Sequence, residues 1–294
     1  MANELLSVVV PVYKAADTIE TLLKSLCAQT YANIEILLVY LASDDDTLEK
    51  IKNVPDSRIK IIEQTERTGP GGARNMGVAA ARGEWIGFAE ADDFVELDFY
   101  EKLLSHVSAQ TDIVWGGMMS HDKVTICHDK CDSCSSLEEK FGPLKNGACF
   151  DKIFRADFLR AYDIRFAEKI RWEDNIFVFK AFYYAQAIAV VPQVYYHYLP
   201  EPWNEKYRTT LHRDVVPAAR EIVTFIQNLS LSQKQQNLLY YKMYCSFLCS
   251  FIGDPHIYRE LYQLMGHPWF LKKCFWKCKF KQFKKRILQH IRKK

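Results

Sequence analysis

Three short runs are apolar almost without interruption: Ser7 to Tyr13 (SVVVPVY), Ile34 to Tyr40 (IEILLVY) and Trp85 to Ala89 (WIGFA). A strand with one wet face alternates apolar and polar side chains, so runs of this kind belong to strands covered on both faces, as in a mostly parallel sheet. Between the first two, Asp17 can cap a helix in which Ile19, Leu22, Leu23 and Leu26 recur at helical spacing. Ile59 to Glu63 is a further candidate strand. This β-α-β-α-β order, with connections long enough for helical crossovers, predicts an α/β fold with a parallel sheet of nucleotide-binding type.

The run ending at Ala89 breaks abruptly into acids. Glu90, Asp92 and Asp93 stand at its C-terminal edge, where open α/β sheets bind ligands. Carboxylate oxygens suit a hard divalent cation such as Mg²⁺ or Mn²⁺, which in turn suits a diphosphate. The competing reading is an acidic turn in which Asp92 or Asp93 caps a helix beginning near Val95. Leu41 to Thr47 brings Ser43, Asp44, Asp45, Asp46 and Thr47 to the same edge, to hold a ribose or base, or to solvate a turn and cap a helix starting near Leu48. Thr68 to Gly77 (TGPGGARNMG) is a Gly-rich loop entering a helix from Ala73 to Ala81, and a helix N-terminus with Arg74 beside it favours a phosphate-bearing ligand. Its spacing matches neither the dinucleotide fingerprint nor the P-loop.

Farther on, Leu97 to Val107 reads as a helix and Thr111 to Gly116 as a strand, while Ser120 to Gly147 lacks periodicity and reads as a long, mobile loop over the site. Lys152 and Arg155 are candidate phosphate contacts or plain surface charges. Glu173 and Asp174 open an apolar helix, Asn175 to Ala187, where acids are favoured by the helix dipole. Apolar neighbours and Trp172 would also make a partly buried carboxylate there, suited to a general base. Ile188 to Tyr198 is strand-like, Pro200 and Pro202 mark a boundary, and from about Thr209 the pattern is helical.

Of the 294 residues, 49% are hydrophobic and 26% charged, which is ordinary for a globular protein. The net charge of +3 is unevenly spread, because no acid follows Glu260. The last helix places Trp276, Phe280, Phe283, Ile287 and Ile291 on one stripe among many lysines and arginines, a pattern for a peripheral membrane anchor on anionic lipid. A solvated helix packed on the core is the plainer reading, and without a groove-reading motif nucleic acid is not an expected partner. No secretion signal is expected at the N-terminus, and Leu238 to Ile252 is too short to span a bilayer, so nine cysteines read as reduced cytosolic thiols. Cys127, His128, Cys131 and Cys134 have no common zinc-site spacing.

In order and spacing, the VSVVVPVY-like opening, SLCAQTYANIEILLV, GARNMGVAAARGEWIGFAEADD, TDIVWGG, RWEDNIF and YYHY resemble the family 2 glycosyltransferases of GT-A fold. These are inverting, metal-dependent enzymes typified by bacterial polysaccharide and lipopolysaccharide transferases. The likeness runs from Ser7 to about Tyr198 and implies a catalytic domain over residues 1–203, with a nucleotide half (1–95) and an acceptor half (96–203), then a helical region over 204–294. It implies that Glu90, Ala91 and Asp92 occupy the DxD motif, with Asp92 the ligand of Mn²⁺ or Mg²⁺ and Glu90 facing the ribose or the metal's water. Asp93 follows as in the extended motif. It further implies that Arg74 approaches the nucleotide, that Pro11, Val12 and Tyr13 line the base pocket, and that Asp174 is the catalytic base with Glu173 beside it.

Two positions depart from the pattern. Tyr40 and Leu41 stand where the family carries paired aspartates, so Asp44 or Asp45 substitutes or Tyr40 stacks on the base, and Glu90 replaces an aspartate. The resemblance implies sugar transfer from a nucleotide-diphosphate sugar, UDP-linked, to a glycan or lipid-linked acceptor hydroxyl on the inner face of the cell membrane. The alternative is a non-catalytic scaffold of a polysaccharide assembly, favoured by Tyr40 and Leu41 and opposed by Asp92 and Asp174.

Overall fold

The computed structural model describes residues 4–120, 123–125, 136–141, 144, 147–199, 205–246, 248, 254–266, 268 and 270–273. Its contacts divide the chain into one unit over Met1–Pro202 and another over Trp203–Lys294.

In the first unit β1 (Leu6–Val12), α1 (Ile19–Cys27), β2 (Ile34–Leu41), α2 (Thr47–Lys52), β3 (Ile59–Gln64), α3 (Gly69–Ala80) and β4 (Trp85–Phe88) alternate as expected. Then follow β5 (Phe94–Val95), α4 (Phe99–Leu104), β6 (Ile113–Ser120), β7 (Lys123–Thr125), α5 (Leu137–Phe141), β8 (Lys152–Arg155), α6 (Ala156–Ala161), α7 (Glu173–Tyr184) and β9 (Ile188–Tyr198). The sheet order is β3-β2-β1-β4-β8-β6-β9-β5, with β7 beside β6. β1 to β4 are mutually parallel, β8 runs against β4 and β6, and β9 runs with β6. β9 therefore ends at the edge where β1 to β4 end. The core follows the unalternating runs: Val8, Val9 and Val10 of β1, Leu38 and Val39 of β2, and Trp85, Ile86 and Phe88 of β4 are all fully buried.

Several local expectations are corrected. No helix starts near Val95; those residues form β5, and α4 begins after Asp98, so neither Asp92 nor Asp93 is a cap. Thr18, not Asp17, stands before α1. α3 starts at Gly69, four residues ahead of Ala73, with Pro70 in its first turn, where a missing N–H costs nothing. The stretch from Ser120 to Gly147 holds β7 and α5; Cys127, His128, Cys131 and Cys134 within it lie outside the described residues.

Lys152 and Arg155 are neither phosphate contacts nor plain surface charges. Lys152 is fully buried, donating to Asp151 Oδ1 at 2.6 Å and to the Ala148 carbonyl at 2.7 Å, above the Trp115 ring. Arg155 lies over Trp85 and donates to the carbonyls of Thr111 and Ser108. Removing one member of a buried ion pair strands the other charge, so Asp151→Ala is predicted to cost about 3–5 kcal/mol in denaturant unfolding. A loss below 1 kcal/mol there would show that Lys152 finds another partner.

In the second unit, α8 (Glu205–Gln227), α9 (Gln233–Ser246) and α10 (Pro255–Leu264) pack together, α8 burying Val215, Ala218, Ala219, Ile222 and Ile226 on one face. Asp254 caps α10 by accepting from His256 N at 2.8 Å. Among the described residues no helix is long and apolar enough to cross a membrane. The basic stripe from Trp276 onward lies outside the described residues.

Candidate active site

Strand order reverses between β1 and β4, and such a switch point opens a crevice at the carboxyl ends of the strands. A cavity of about 480 Å³ lies there. Pro11, Val12 and Tyr13 wall it at the end of β1, Leu41 at the end of β2, Gln64 at the end of β3 with Arg67 beyond it, and Glu90, Ala91 and Asp92 after β4. Tyr13 is 41% exposed, with the Arg67 guanidinium 5.0 Å from its ring centre.

Three residues expected to meet the base are engaged elsewhere. Successive strand side chains point to opposite faces, so Tyr40 and Leu41 cannot both face the cavity. Leu41 does; the Tyr40 ring is buried in the core and its hydroxyl accepts from Ser43 N at 3.1 Å. Asp45 ties two loops together, accepting from Ala16 N, Ser43 Oγ and Thr47 Oγ1, and the Ser43 and Thr47 bonds hold its carboxyl down to about 2. Asp44 is exposed and pairs with Lys14 at 2.7 Å.

Arg74 does not line the cavity. Its side chain is almost wholly buried, donating through Nη1 to Glu173 Oε1 at 2.7 Å and through Nη2 to Glu90 Oε1, with Phe166 beneath the guanidinium. Burial acts to lower the Arg74 pKa, but Glu90 and Glu173 hold it well above its ordinary value. Gly71 makes this approach possible, since a Cβ there would stand 2.2 Å from the Ala167 carbonyl oxygen and 3.0 Å from Glu173 Cγ.

Glu173 and Asp174 open α7 after Trp172, whose φ of 69° is left-handed, a costly conformation for a bulky residue and one found where a site demands it. The Asp174 carboxyl is pushed up to about 7, first by burial and then by the neighbouring Glu173 charge, while Arg74 opposes the rise. Below it Phe177 packs edge-on against Phe88 at 5.6 Å and stacks on Phe166 at 3.9 Å, so α7 and the end of β4 share one rigid aromatic layer.

The sequence model of glycosyl transferase family 2 matches residues 7–126, the segment holding the cavity-lining strand ends. The putative glycosyltransferase EpsH of Bacillus subtilis is 32% identical over 214 residues, covering 67% of this chain and 61% of EpsH. Residues 7–126 belong to glycosyl transferase family 2. The chain spans about three-fifths of the length of EpsH. The S. aureus TarS 1–349 structure in complex with UDP-GlcNAc superposes with a TM-score of 0.75 at 21% identity, covering 90% of this chain and 81% of that one. The mannosyltransferase PcManGT from Pyrobaculum calidifontis, in complex with GDP-Man and Mn²⁺, gives a TM-score of 0.63 at 17% identity over 90% of this chain and 74% of its own. The architecture is the GT-A fold.

The PcManGT complex holds Mn²⁺ beside its GDP-Man, and the cavity here presents side chains of the type such an ion takes. Among the described residues no three His, Cys, Asp or Glu side chains cluster as a self-sufficient metal cage. Asp92 and Glu90 do put hard oxygen donors on the cavity wall, and Mg²⁺-type sites commonly use one or two carboxylates completed by substrate phosphates and water.

Asp93 faces the other way. It is fully buried, accepting from Tyr196 Oη at 2.9 Å and Leu199 N at 2.8 Å, and burial raises its carboxyl to about 8. Tyr196 Oη also accepts from Glu90 N at 2.9 Å, so β9 holds the acidic loop from behind. Sequence reading did not single out Gln64, Arg67 or Tyr196 for the site. A polar residue closing β3 beside the apolar Leu41 was the available signal for Gln64.

Proposed function

We propose that this chain transfers a sugar with inversion from a nucleotide-diphosphate sugar, UDP-linked, to a hydroxyl of a growing glycan or lipid-linked acceptor in cell-surface polysaccharide assembly. The observation that carries this reading is the Arg74 clasp, which bonds Glu90 of the donor-side loop and Glu173 of α7 at once. It couples a cavity sized for a nucleotide to a near-neutral carboxyl on the next residue, Asp174. The UDP-GlcNAc in the TarS complex supports the donor class.

In this reading Pro11 and Tyr13 take the base, while the acceptor hydroxyl gives its proton to Asp174 as its oxygen attacks the anomeric carbon opposite the departing diphosphate. Mn²⁺ or Mg²⁺ held by Asp92, with Glu90 beside it, would supply charge neutralisation for that leaving group. Arg74 keeps Glu173 and Glu90 compensated, so that the proton goes to Asp174. The acceptor and the basic C-terminal segment would meet at the cytoplasmic membrane surface.

Calorimetric titration with UDP, with and without Mn²⁺, tests this. Wild-type protein is expected to bind UDP in a Mn²⁺-dependent manner, and Asp92→Ala to weaken that binding about tenfold or more. A wild type that binds no nucleotide would favour a non-catalytic scaffold, the reading to which Leu41 in the cavity lends weight.

A further inference from the structure

The base end of the cavity lacks the carboxylate that the family pattern places after β2, since Leu41 occupies the wall there. A different polar group stands one strand over. Gln64 closes β3 and pairs in register with Leu41, so the two backbones lie about 4.8 Å apart and their side chains leave the sheet on the same face. Although only 6% exposed, Gln64 is part of the cavity wall.

Its two amide atoms are used unequally. Nε2 donates to Thr68 Oγ1 at 2.5 Å, whereas Oε1 accepts no hydrogen bond from any described residue. Thr68 can sit this close because residue 72 is glycine; a Cβ there would stand 1.9 Å from Thr68 Oγ1. In this orientation the amide turns its nitrogen to Thr68 and leaves its carbonyl as the open group, and a nearly buried carbonyl gains most from a partner that brings a donor.

We propose that Gln64 reads the base of the donor nucleotide, with its Oε1 accepting the imide N–H of uracil. This rests on the reading that the cavity takes a UDP-linked donor. Uracil N3 carries a hydrogen and cytosine N3 carries a lone pair, so the same carbonyl attracts one ring and repels the other at nearly equal size. Leu41 supplies the apolar contact beside it, and Tyr13 the aromatic face.

The test is titration of the full chain with UDP and with CDP, both in Mn²⁺, a pair that differs only in the base. Wild type is expected to prefer UDP by about tenfold or more, the scale of one well-placed hydrogen bond at a desolvated site. Gln64→Leu is expected to bind UDP about tenfold more weakly and to bring the two affinities within about twofold of each other. Gln64→Glu, which keeps an acceptor at the same reach, retains the preference. Because the UDP-to-CDP ratio is read within each variant, the fraction of folded protein does not affect it. If Gln64→Leu keeps both the wild-type UDP affinity and the wild-type ratio, the assignment of Gln64 is overturned and the donor site stands. If wild type itself binds neither nucleotide, the transferase reading falls and this inference with it.

Discussion

Replacing Asp174 with asparagine is expected to lower the transfer rate by about 10² to 10⁴ while leaving UDP binding intact, because the variant keeps the shape of the site and loses only the proton acceptor. The pH dependence gives the sharper test. Burial and the Glu173 charge push the Asp174 carboxyl up to about 7, so the basic form predominates only above neutrality. The wild-type rate should fall about tenfold for each pH unit below that midpoint, and the residual rate of Asp174→Asn should lack this acid limb. Stability must move the other way. A carboxyl whose folded-state pKa lies above its unfolded value stabilises the fold fully at pH values below the unfolded pKa, and that contribution is lost as pH rises through the folded pKa. Asp174→Asn should therefore unfold at higher denaturant than wild type at pH 8 but not at pH 4. An enzyme that keeps its full rate with asparagine, measured with a donor that binds, rules out Asp174 as the base.

What could be read from the chain before its structure follows from which interactions are local. β1, β2 and β4 were legible because a strand covered on both faces has no polar positions to confuse its pattern, and Val8 to Val10 are buried without exception. β8 was not, because Lys152 looks like a surface charge until Asp151 and the Trp115 ring are known to enclose it. The run Glu90 to Asp93 advertised a site but not the division of labour within it. Asp92 faces the cavity and Asp93 the core, and that choice is made by Tyr196 and Leu199, more than 100 residues away. At the end of β2 period-two alternation could have decided between Tyr40 and Leu41, had the last residue of the strand been known.

Arg74 is the clearest case of a residue whose type was read correctly and whose partners were not. An arginine beside a helix N-terminus reads as a phosphate contact, yet here its two Nη atoms are spent on Glu90 and Glu173, the second 99 positions along the chain. Phe88 and Phe177 make the same connection in apolar form, so the acidic loop and α7 are joined twice. In the proposed transfer, a donor bound against Glu90 and Asp92 would meet a loop already fixed relative to Asp174, which is what a displacement reaction needs from its scaffold.

Arg74→Met is expected to be among the most damaging single changes in the first unit. Methionine fills much of the space but leaves the buried Glu173 and the half-buried Glu90 carboxylates without their cation, and stranding a buried charge in this way costs about 3–5 kcal/mol. Arg74→Lys should fall between the two, since an ammonium keeps the charge but cannot fork to both carboxylates. The penalty should depend on pH with a definite sign. At pH 7 the carboxylates must stay charged and unpaired or take up protons at a cost, whereas near pH 4.5 protonation comes more cheaply, so the gap between Arg74→Met and wild type should narrow as pH falls. In any fraction that still folds, Asp174 loses the cation that holds its carboxyl down, and the acid limb of the rate profile should move to higher pH. Denaturant unfolding of the three proteins at pH 7 and pH 4.5 decides the matter. A pH-independent penalty would mean that Arg74 stabilises the fold through packing on Phe166 rather than through its two ion pairs.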